Sequence, residues 1–218
     1  MRTKLWPGLA LVLGATLFGF YSRSQLPAQV VSHWNLSGEP NGWSSAVAIV
    51  FGFPALALLL ALILTVAPRV DPKRRNFPAH ASEYWLVANT TLAFLAFVYV
   101  GLIGANTGWQ VRMQSLLGIG LGVLMIVIGN VLTRVRPNWI FGVRTPWTLS
   151  SERSWREAHR VAGYGFVLVG LMALVLALLG VGQIVLPLSV GVAVTALAAT
   201  VWSYVAWKRD PDATGRDQ

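Results

Sequence analysis

Residues 113–133 read MQSLLGIGLGVLMIVIGNVLT, an apolar run that contains no Asp, Glu, Lys, Arg or His. The chain then turns basic in residues 134–160, RVRPNWIFGVRTPWTLSSERSWREAHR, which carry six arginines. A run of about 17 to 25 apolar residues crosses the hydrocarbon core of a bilayer as a helix. Arginines beside the end of such a helix are retained in the cytoplasm. The two segments together predict a membrane-spanning helix with a fixed orientation.

Five further apolar runs of similar length occur along the chain. We predict from them an all-α polytopic membrane protein, with six transmembrane helices in one bundle. Composition agrees, because 11% charged residues is less than half of the fraction usual in soluble domains, about 25%. The predicted spans are 5–21, 46–66, 84–104, 113–133, 161–180 and 184–207.

Lysine and arginine are sorted between alternate connections, with 15 of 17 on one side and only Arg23 and Arg112 on the other. The positive-inside rule therefore predicts that both termini face the cytoplasm. Because these cations lie beside span ends, their expected partners are the head groups of membrane lipids, and direct nucleic-acid binding is not predicted. The fifteen are Arg2, Lys4, Arg69, Lys73, Arg74, Arg75, Arg134, Arg136, Arg144, Arg153, Arg156, Arg160, Lys208, Arg209 and Arg216.

The first span has the basic start and apolar run that are also typical of a secretory signal. No small-x-small cleavage site follows it closely, since residues 22–27 read SRSQLP. We therefore expect an uncleaved membrane anchor.

The outward loop, residues 22–45, is dense in turn-forming residues between 38 and 42. Its tryptophans, Trp34 and Trp43, favour the membrane interface, so we expect a compact turn that lies against the lipid. His33 and Glu39 are the one histidine and the one carboxylate on this side. Two ligands are too few for a closed structural metal site, so no cofactor is predicted and His33 and Glu39 stay weak metal candidates.

The inward connection changes character midway. Helix breakers occupy its first half, whereas Ser150 or Ser151 can cap a helix over residues 152–160. We predict a short amphipathic helix at the inner interface, with Glu152–Arg156 and Arg153–Glu157 pairs on its flanks. Its apolar face contains Trp155, Ala158, His159 and Ala162.

Several functional classes are disfavoured. No predicted span contains an ionisable residue away from its ends, whereas ion-coupled carriers place such groups near the bilayer midplane. No Walker loop, HExxH or GxSxG motif is present, so we predict no enzyme. Small residues at four-residue spacing instead predict helix packing within the bundle. They are Gly118 with Gly122, Gly101 with Ala105, and Gly191, Thr195 and Ala199.

Both loops carry a family resemblance. LPAQVVSHWNLSGEPNGW, residues 26–43, resembles the DUF1648 module, and residues 128–166 resemble the SdpI family of bacterial immunity proteins. The outer residues that match are Pro27, His33, Asn35, Gly38 and Gly42. The inner ones are Gly129, Asn130, Pro137, Asn138, Gly142, Arg144, Thr145, Pro146, Trp155, His159 and Gly163.

This resemblance implies a multi-pass protein of the bacterial cytoplasmic membrane that protects its cell from a secreted, membrane-active peptide toxin. It also implies a relay of toxin occupancy to a transcriptional repressor in the cytoplasm. The expected modules are 1–66, DUF1648-like with two spans and the outer loop 22–45, and 67–218, SdpI-like with four spans and the cytoplasmic loop 134–160. A lipid- or metal-binding membrane protein and a membrane enzyme remain the alternatives.

We assign the two candidate sites to the two loops. The toxin-binding residues expected in the outer loop are His33, Trp34, Asn35, Gly38, Glu39, Asn41, Gly42 and Trp43. The partner-binding residues expected in the cytoplasmic loop are Asn138, Gly142, Arg144, Thr145, Pro146, Trp155 and His159.

Overall fold

The computed structural model describes residues 4–214, so Arg2 and Arg216 of the charge count lie outside the described residues. The elements are α1 (Trp6–Ser22), β1 (Gln29–Trp34), β2 (Pro40–Ser45), α2 (Ala46–Val70), α3 (Ala81–Asn106), α4 (Met113–Leu132), α5 (Pro146–Ser150), α6 (Glu152–Leu178), α7 (Val185–Lys208) and α8 (Pro211–Thr214). Short 3-10 turns cover Arg23–Gln25 and Arg74–His80.

Within the described residues, α2, α3, α4, α6 and α7 are long and apolar enough to cross a membrane. Their outer surfaces expose large apolar side chains, such as Leu58 at 61%, Leu168 at 67% and Leu197 at 66%. Such surfaces suit lipid rather than water. The predicted all-α membrane bundle is therefore confirmed. Helix α1 is shorter, at 17 residues, so the count of six spans and the cytoplasmic position of both termini stay predictions.

Helix α6 differs from the sequence prediction in its extent. The amphipathic segment 152–160 is not a separate helix, because it continues without a break into the fifth predicted span. Ser151 caps it as predicted, since its hydroxyl accepts a hydrogen bond from the Ser154 N–H at 3.0 Å. The predicted face is buried against the protein rather than lying on the membrane.

The flanking charges of α6 agree only in part with the prediction. Glu152 pairs with Arg156 at 3.5 Å as expected. Glu157 instead pairs with Arg160 at 2.7 Å, and Arg153 donates to the Arg209 carbonyl at 2.9 Å. Residues three and four positions apart are both neighbours on a helix surface, so Glu157 can pair with Arg160 instead of Arg153. Arg153 bonds to a carbonyl at the end of α7, which is too distant in the sequence to be predicted.

The loops divide between two opposite ends of the bundle. At the hairpin end, formed by residues 26–45, 107–112 and 179–184, Gln114 bonds to both Leu36 and Ile184. At the arginine end, formed by residues 71–80, 133–151 and 209–214, the Asn76 side chain donates to the Pro137 carbonyl at 2.9 Å. The predicted outer and inner loops therefore lie a full helix length apart.

The closest approaches between α4 and α6 run through glycines, of which Gly122 alone is among the predicted packing residues. A Cβ added to Gly129 of α4 would lie 2.5 Å from the Gly163 carbonyl oxygen of α6. One added to Gly170 of α6 would lie 2.6 Å from the Gly122 carbonyl oxygen. At both levels the backbones of α4 and α6 approach so closely that no side chain fits between them.

Sidedness can be tested directly because the chain contains no cysteine, so an introduced one is a unique label. Ser37 at the hairpin end and Ser150 at the arginine end are both exposed. We expect Ser37→Cys to react with a membrane-impermeant maleimide in intact cells, because positive loops remain inside. Ser150→Cys should react only after the cells are opened. Labelling of Ser150→Cys in intact cells would contradict the assigned orientation.

Candidate functional site

The outer loop forms a β-hairpin, whereas the sequence predicted only consecutive turns. Strands β1 and β2 pair antiparallel, with a bulge that places His33 opposite Gly42. Asn35 organises the tip, because its side-chain oxygen accepts from the backbone N–H groups of Ser37 and Glu39, both at 2.9 Å. Its amide nitrogen donates to the Glu39 carboxylate at 3.1 Å. Glu39 therefore stabilises the turn that carries it.

Two amide side chains from the bundle hold the hairpin in place. Asn106 of α3 accepts from the Val31 N–H at 2.8 Å and donates to the Val31 carbonyl at 3.0 Å, as a neighbouring strand would. Gln114 of α4 donates to the carbonyls of Asn35 and Leu36, both at 3.1 Å. The hairpin thus gains backbone partners on α3 and α4.

A cavity of about 510 Å³ lies between the hairpin and the bundle. Polar side chains of the hairpin and Gln114 line one part of it, and apolar side chains of α3, α4 and α7 line the rest. Ligand sites commonly combine a largely apolar wall with a few polar groups. The lining residues are Ser32, His33, Trp34, Asn35, Leu36, Asn41, Val98, Leu102, Met113, Gln114, Leu117 and Val185.

Four of the eight predicted outer residues, His33, Trp34, Asn35 and Asn41, line this cavity. The other four, Gly38, Glu39, Gly42 and Trp43, do not. Gly38 adopts a φ of 82°, in the region that favours glycine, and Trp43 is 59% exposed. The wall residues on α3, α4 and α7 are not among those predicted from the sequence. Gln114 alone carried a signal, because its carboxamide can both donate and accept hydrogen bonds and lies in the first turn of an apolar helix.

His33 and Glu39 are engaged within the hairpin. The His33 Nδ1 atom lies within hydrogen-bond distance of the Asn41 side-chain oxygen, and Glu39 bonds to Asn35. Among residues 4–214, no three His, Asp or Glu side chains come together in a group that could hold a metal ion.

At the arginine end, Asn138 folds the start of the loop. Its side-chain oxygen accepts from the backbone N–H groups of Ile140 and Phe141, at 2.9 and 2.7 Å. The buried Asp71 carboxylate accepts from the Trp139 N–H at 3.0 Å. These bonds attach the loop to the connection between α2 and α3.

His159 fixes the middle of the same loop. The Val143 N–H donates to the His159 Nε2 atom at 3.2 Å, so this nitrogen carries no proton. The proton lies on Nδ1, which faces the Trp155 carbonyl at 2.8 Å. The imidazole is therefore neutral, and it stacks on the Trp155 ring with 4.0 Å between centroids. Gly142, with a φ of 114°, passes close to the Nε2 edge of the His159 ring.

Thr145 begins α5 with a reciprocal capping box, formed with Thr148. Arg144 is exposed and donates to the Trp139 carbonyl, and Pro146 is also exposed. By contrast, Asn138, Trp155 and His159 are buried and maintain the loop conformation. Of the seven predicted partner-binding residues, Arg144 and Pro146 offer the most accessible surface.

Comparison with known proteins agrees with the resemblance of both loops. Residues 134–205 match the SdpI/YfhL protein family, and residues 10–58 match the domain of unknown function DUF1648. The chain is 26% identical over 187 residues to the immunity protein SdpI of Bacillus subtilis (strain 168), with 84% of this chain and 86% of that protein covered. No solved structure is significantly similar to the chain.

The apolar helices and this similarity together identify a multi-pass protein of the bacterial cytoplasmic membrane. Its similarity to an immunity protein favours a non-enzymatic role. The predicted family resemblance is confirmed for both matched segments.

The contact between Gly142 and His159 generates a prediction with an internal control. A Cβ at Gly142 would lie 2.1 Å from His159 Nε2, whereas one at Gly108, which has a φ of 95°, would meet nothing within 4 Å. Both alanine variants incur backbone strain of about 1–2 kcal/mol. We expect Gly142→Ala to lose about 1–3 kcal/mol more, the usual cost of overpacking. Denaturation in SDS, followed by tryptophan fluorescence, measures the difference. Equal losses in the two variants would contradict the packing described for His159.

Proposed function

We propose that this chain is an immunity protein that protects its cell from a secreted, membrane-active peptide toxin, and that the cavity beneath the hairpin receives the toxin. The observation that carries the proposal is a cavity with hairpin polar groups and apolar helix side chains at the end predicted to face outward. The similarity to an immunity protein supplies the functional class.

The lining of the cavity suits an amphipathic segment. His33 and Asn41 lie on the exposed hairpin, where they can contact polar groups of a peptide. Leu102 and Leu117, on α3 and α4, offer an apolar surface to side chains that enter the membrane. A peptide that disrupts membranes carries both kinds of group. Binding here would retain it at the interface before it inserts fully.

We also propose a relay from this cavity to a repressor at the arginine end. Gln114 lines the cavity and lies near the start of α7, since its side-chain oxygen accepts from the Ile184 and Val185 N–H groups at 3.3 and 3.4 Å. Near the other end of α7, the Ser203 hydroxyl accepts from the Trp147 indole N–H of the cytoplasmic loop. If toxin displaced Gln114, the start of α7 would therefore shift. A shift of α7 would in turn move the loop that carries Arg144, through the contact between Ser203 and Trp147.

Filling the cavity should weaken protection strongly without disturbing the fold. Leu102 is half-buried in the cavity wall, whereas Leu59 is 54% exposed on α2. In a Bacillus strain that lacks its own immunity protein, we expect the wild-type chain and Leu59→Trp to allow growth in the presence of toxin. Leu102→Trp should lower the highest toxin concentration that the cells survive at least about tenfold, which corresponds to about 1.4 kcal/mol of binding free energy. Full protection by Leu102→Trp would exclude the cavity, and killing of cells with the wild-type chain would exclude immunity.

The relay can be followed with a cysteine at Ser150, at the end of α5. We expect toxin to change the rate at which Ser150→Cys reacts with maleimide in opened cells. Adding Gln114→Leu should remove this change, because leucine can neither donate to the hairpin carbonyls nor accept from the start of α7. An unchanged response in the double variant would contradict the route, and no response in Ser150→Cys alone would contradict the relay.

A further inference from the structure

A second cavity, of about 250 Å³, opens at the arginine end between the end of α4 and the start of α6. Three guanidinium groups line it, those of Arg134, Arg136 and Arg156, together with one carboxylate, that of Glu152. Trp155 closes its inner side, and the Trp155 indole N–H is already bonded to the Val135 carbonyl at 2.7 Å. The lining of the cavity therefore has a net positive charge, and the position of Trp155 is fixed by its hydrogen bond to Val135.

Two of the three arginines have partners within the protein, and Arg134 also donates to the Asn130 side-chain oxygen at 3.1 Å. Arg134 lies 3.4 Å from Glu83, and Arg156 lies 3.5 Å from Glu152, with the arginine side chains 54% and 64% exposed. The Arg156–Glu152 pair is exposed on both sides and contributes little energy, whereas Glu83, in the Arg134 pair, is only 17% exposed. Within residues 4–214, the guanidinium of Arg136 has no hydrogen-bond or ion-pair partner. A planar guanidinium with free N–H groups is well suited to two oxygens of a phosphate.

The position of the cavity relative to the apolar runs indicates which kind of phosphate it could meet. Arg134 and Arg136 follow the apolar run of α4, which ends at Leu132, within a few residues. Arg156 precedes the apolar run that begins at Val161 by five residues, or about 7.5 Å at 1.5 Å per helical residue. The head-group layer extends about 5–8 Å beyond the hydrocarbon core. The three arginines thus lie at the level of lipid phosphates.

We infer that this cavity binds the phosphate head group of an anionic phospholipid in the adjacent leaflet, with Arg136 as its principal ligand and Arg134 and Arg156 on either side. The inference is independent of the proposed toxin site, which lies at the other end of the bundle. A soluble phosphate or an acidic protein segment has the same charge, but neither is held at the level of the head-group layer.

The test uses the full-length chain in phosphatidylcholine nanodiscs, titrated with phosphatidylglycerol and followed by native mass spectrometry. We expect Arg136→Gln to weaken phosphatidylglycerol binding at least about tenfold, the loss expected for a charge-assisted hydrogen bond. Arg160→Gln is the matched control, because Arg160 lies one turn from Arg156 on α6 and pairs with Glu157 at 2.7 Å. It removes the same charge at the same end of the bundle, outside the cavity, and should change binding less than about twofold.

Each other outcome overturns the inference. Equal losses in Arg136→Gln and Arg160→Gln would indicate general attraction to the membrane surface, and no loss in either would indicate no site. Arg136 is exposed, so its substitution should not unfold the chain, and the elution volume of the nanodiscs checks this. Displacement of phosphatidylglycerol by excess inorganic phosphate, or by a poly-glutamate peptide, would assign the cavity to a soluble anion or to a protein partner instead.

Discussion

Hydrocarbon supplies no hydrogen-bond partners, and the irregular parts of this chain are arranged around that constraint. Where α1 begins, the Asn89 side chain of α3 accepts from the Gly8 N–H at 2.7 Å and donates to the Lys4 carbonyl at 2.7 Å. Asn106 does the same for the Val31 peptide at the other end of α3. The long helices satisfy their own backbones, so a few amide side chains suffice for the non-helical segments. Each such amide also fixes the position of the segment it serves.

The spans, the cap at Ser151 and the buried face of α6 could be predicted from the sequence because each is a local property. Apolar runs, a serine before a helix and residues at spacings of three and four are all read within a few turns. The burial of Trp155 and His159 follows from that spacing once α6 packs on its neighbours. What the spacing could not reveal is that the face meets protein rather than lipid, because both environments favour the same residues.

The hairpin and the outer cavity could not be predicted, because they depend on residues that are distant in the chain. Asn106 and Val31 are 75 residues apart, and Gln114 and Leu36 are 78 apart. The strand segment before the tip contains two valines and a tryptophan, which favour strands, but its position is fixed by Asn106 on α3 and Gln114 on α4. The cavity wall consists of ordinary apolar residues such as Val98 and Leu117, which nothing in the sequence separates from lipid-facing ones.

The contacts between helices also determine which of them could carry a signal between the two ends. Helices α4 and α6 meet backbone to backbone at Gly122 and Gly170 and again at Gly129 and Gly163, so they cannot slide past each other without a clash. Helix α7 contacts α6 mainly through side chains, such as Thr195 against Gly165, and these can adjust by changing rotamer. A rigid α4–α6 pair beside a more adjustable α7 is the arrangement in which a change at Gln114 would move α7 relative to the pair. For this reason we place the proposed relay on α7 rather than on the helices at the centre of the bundle.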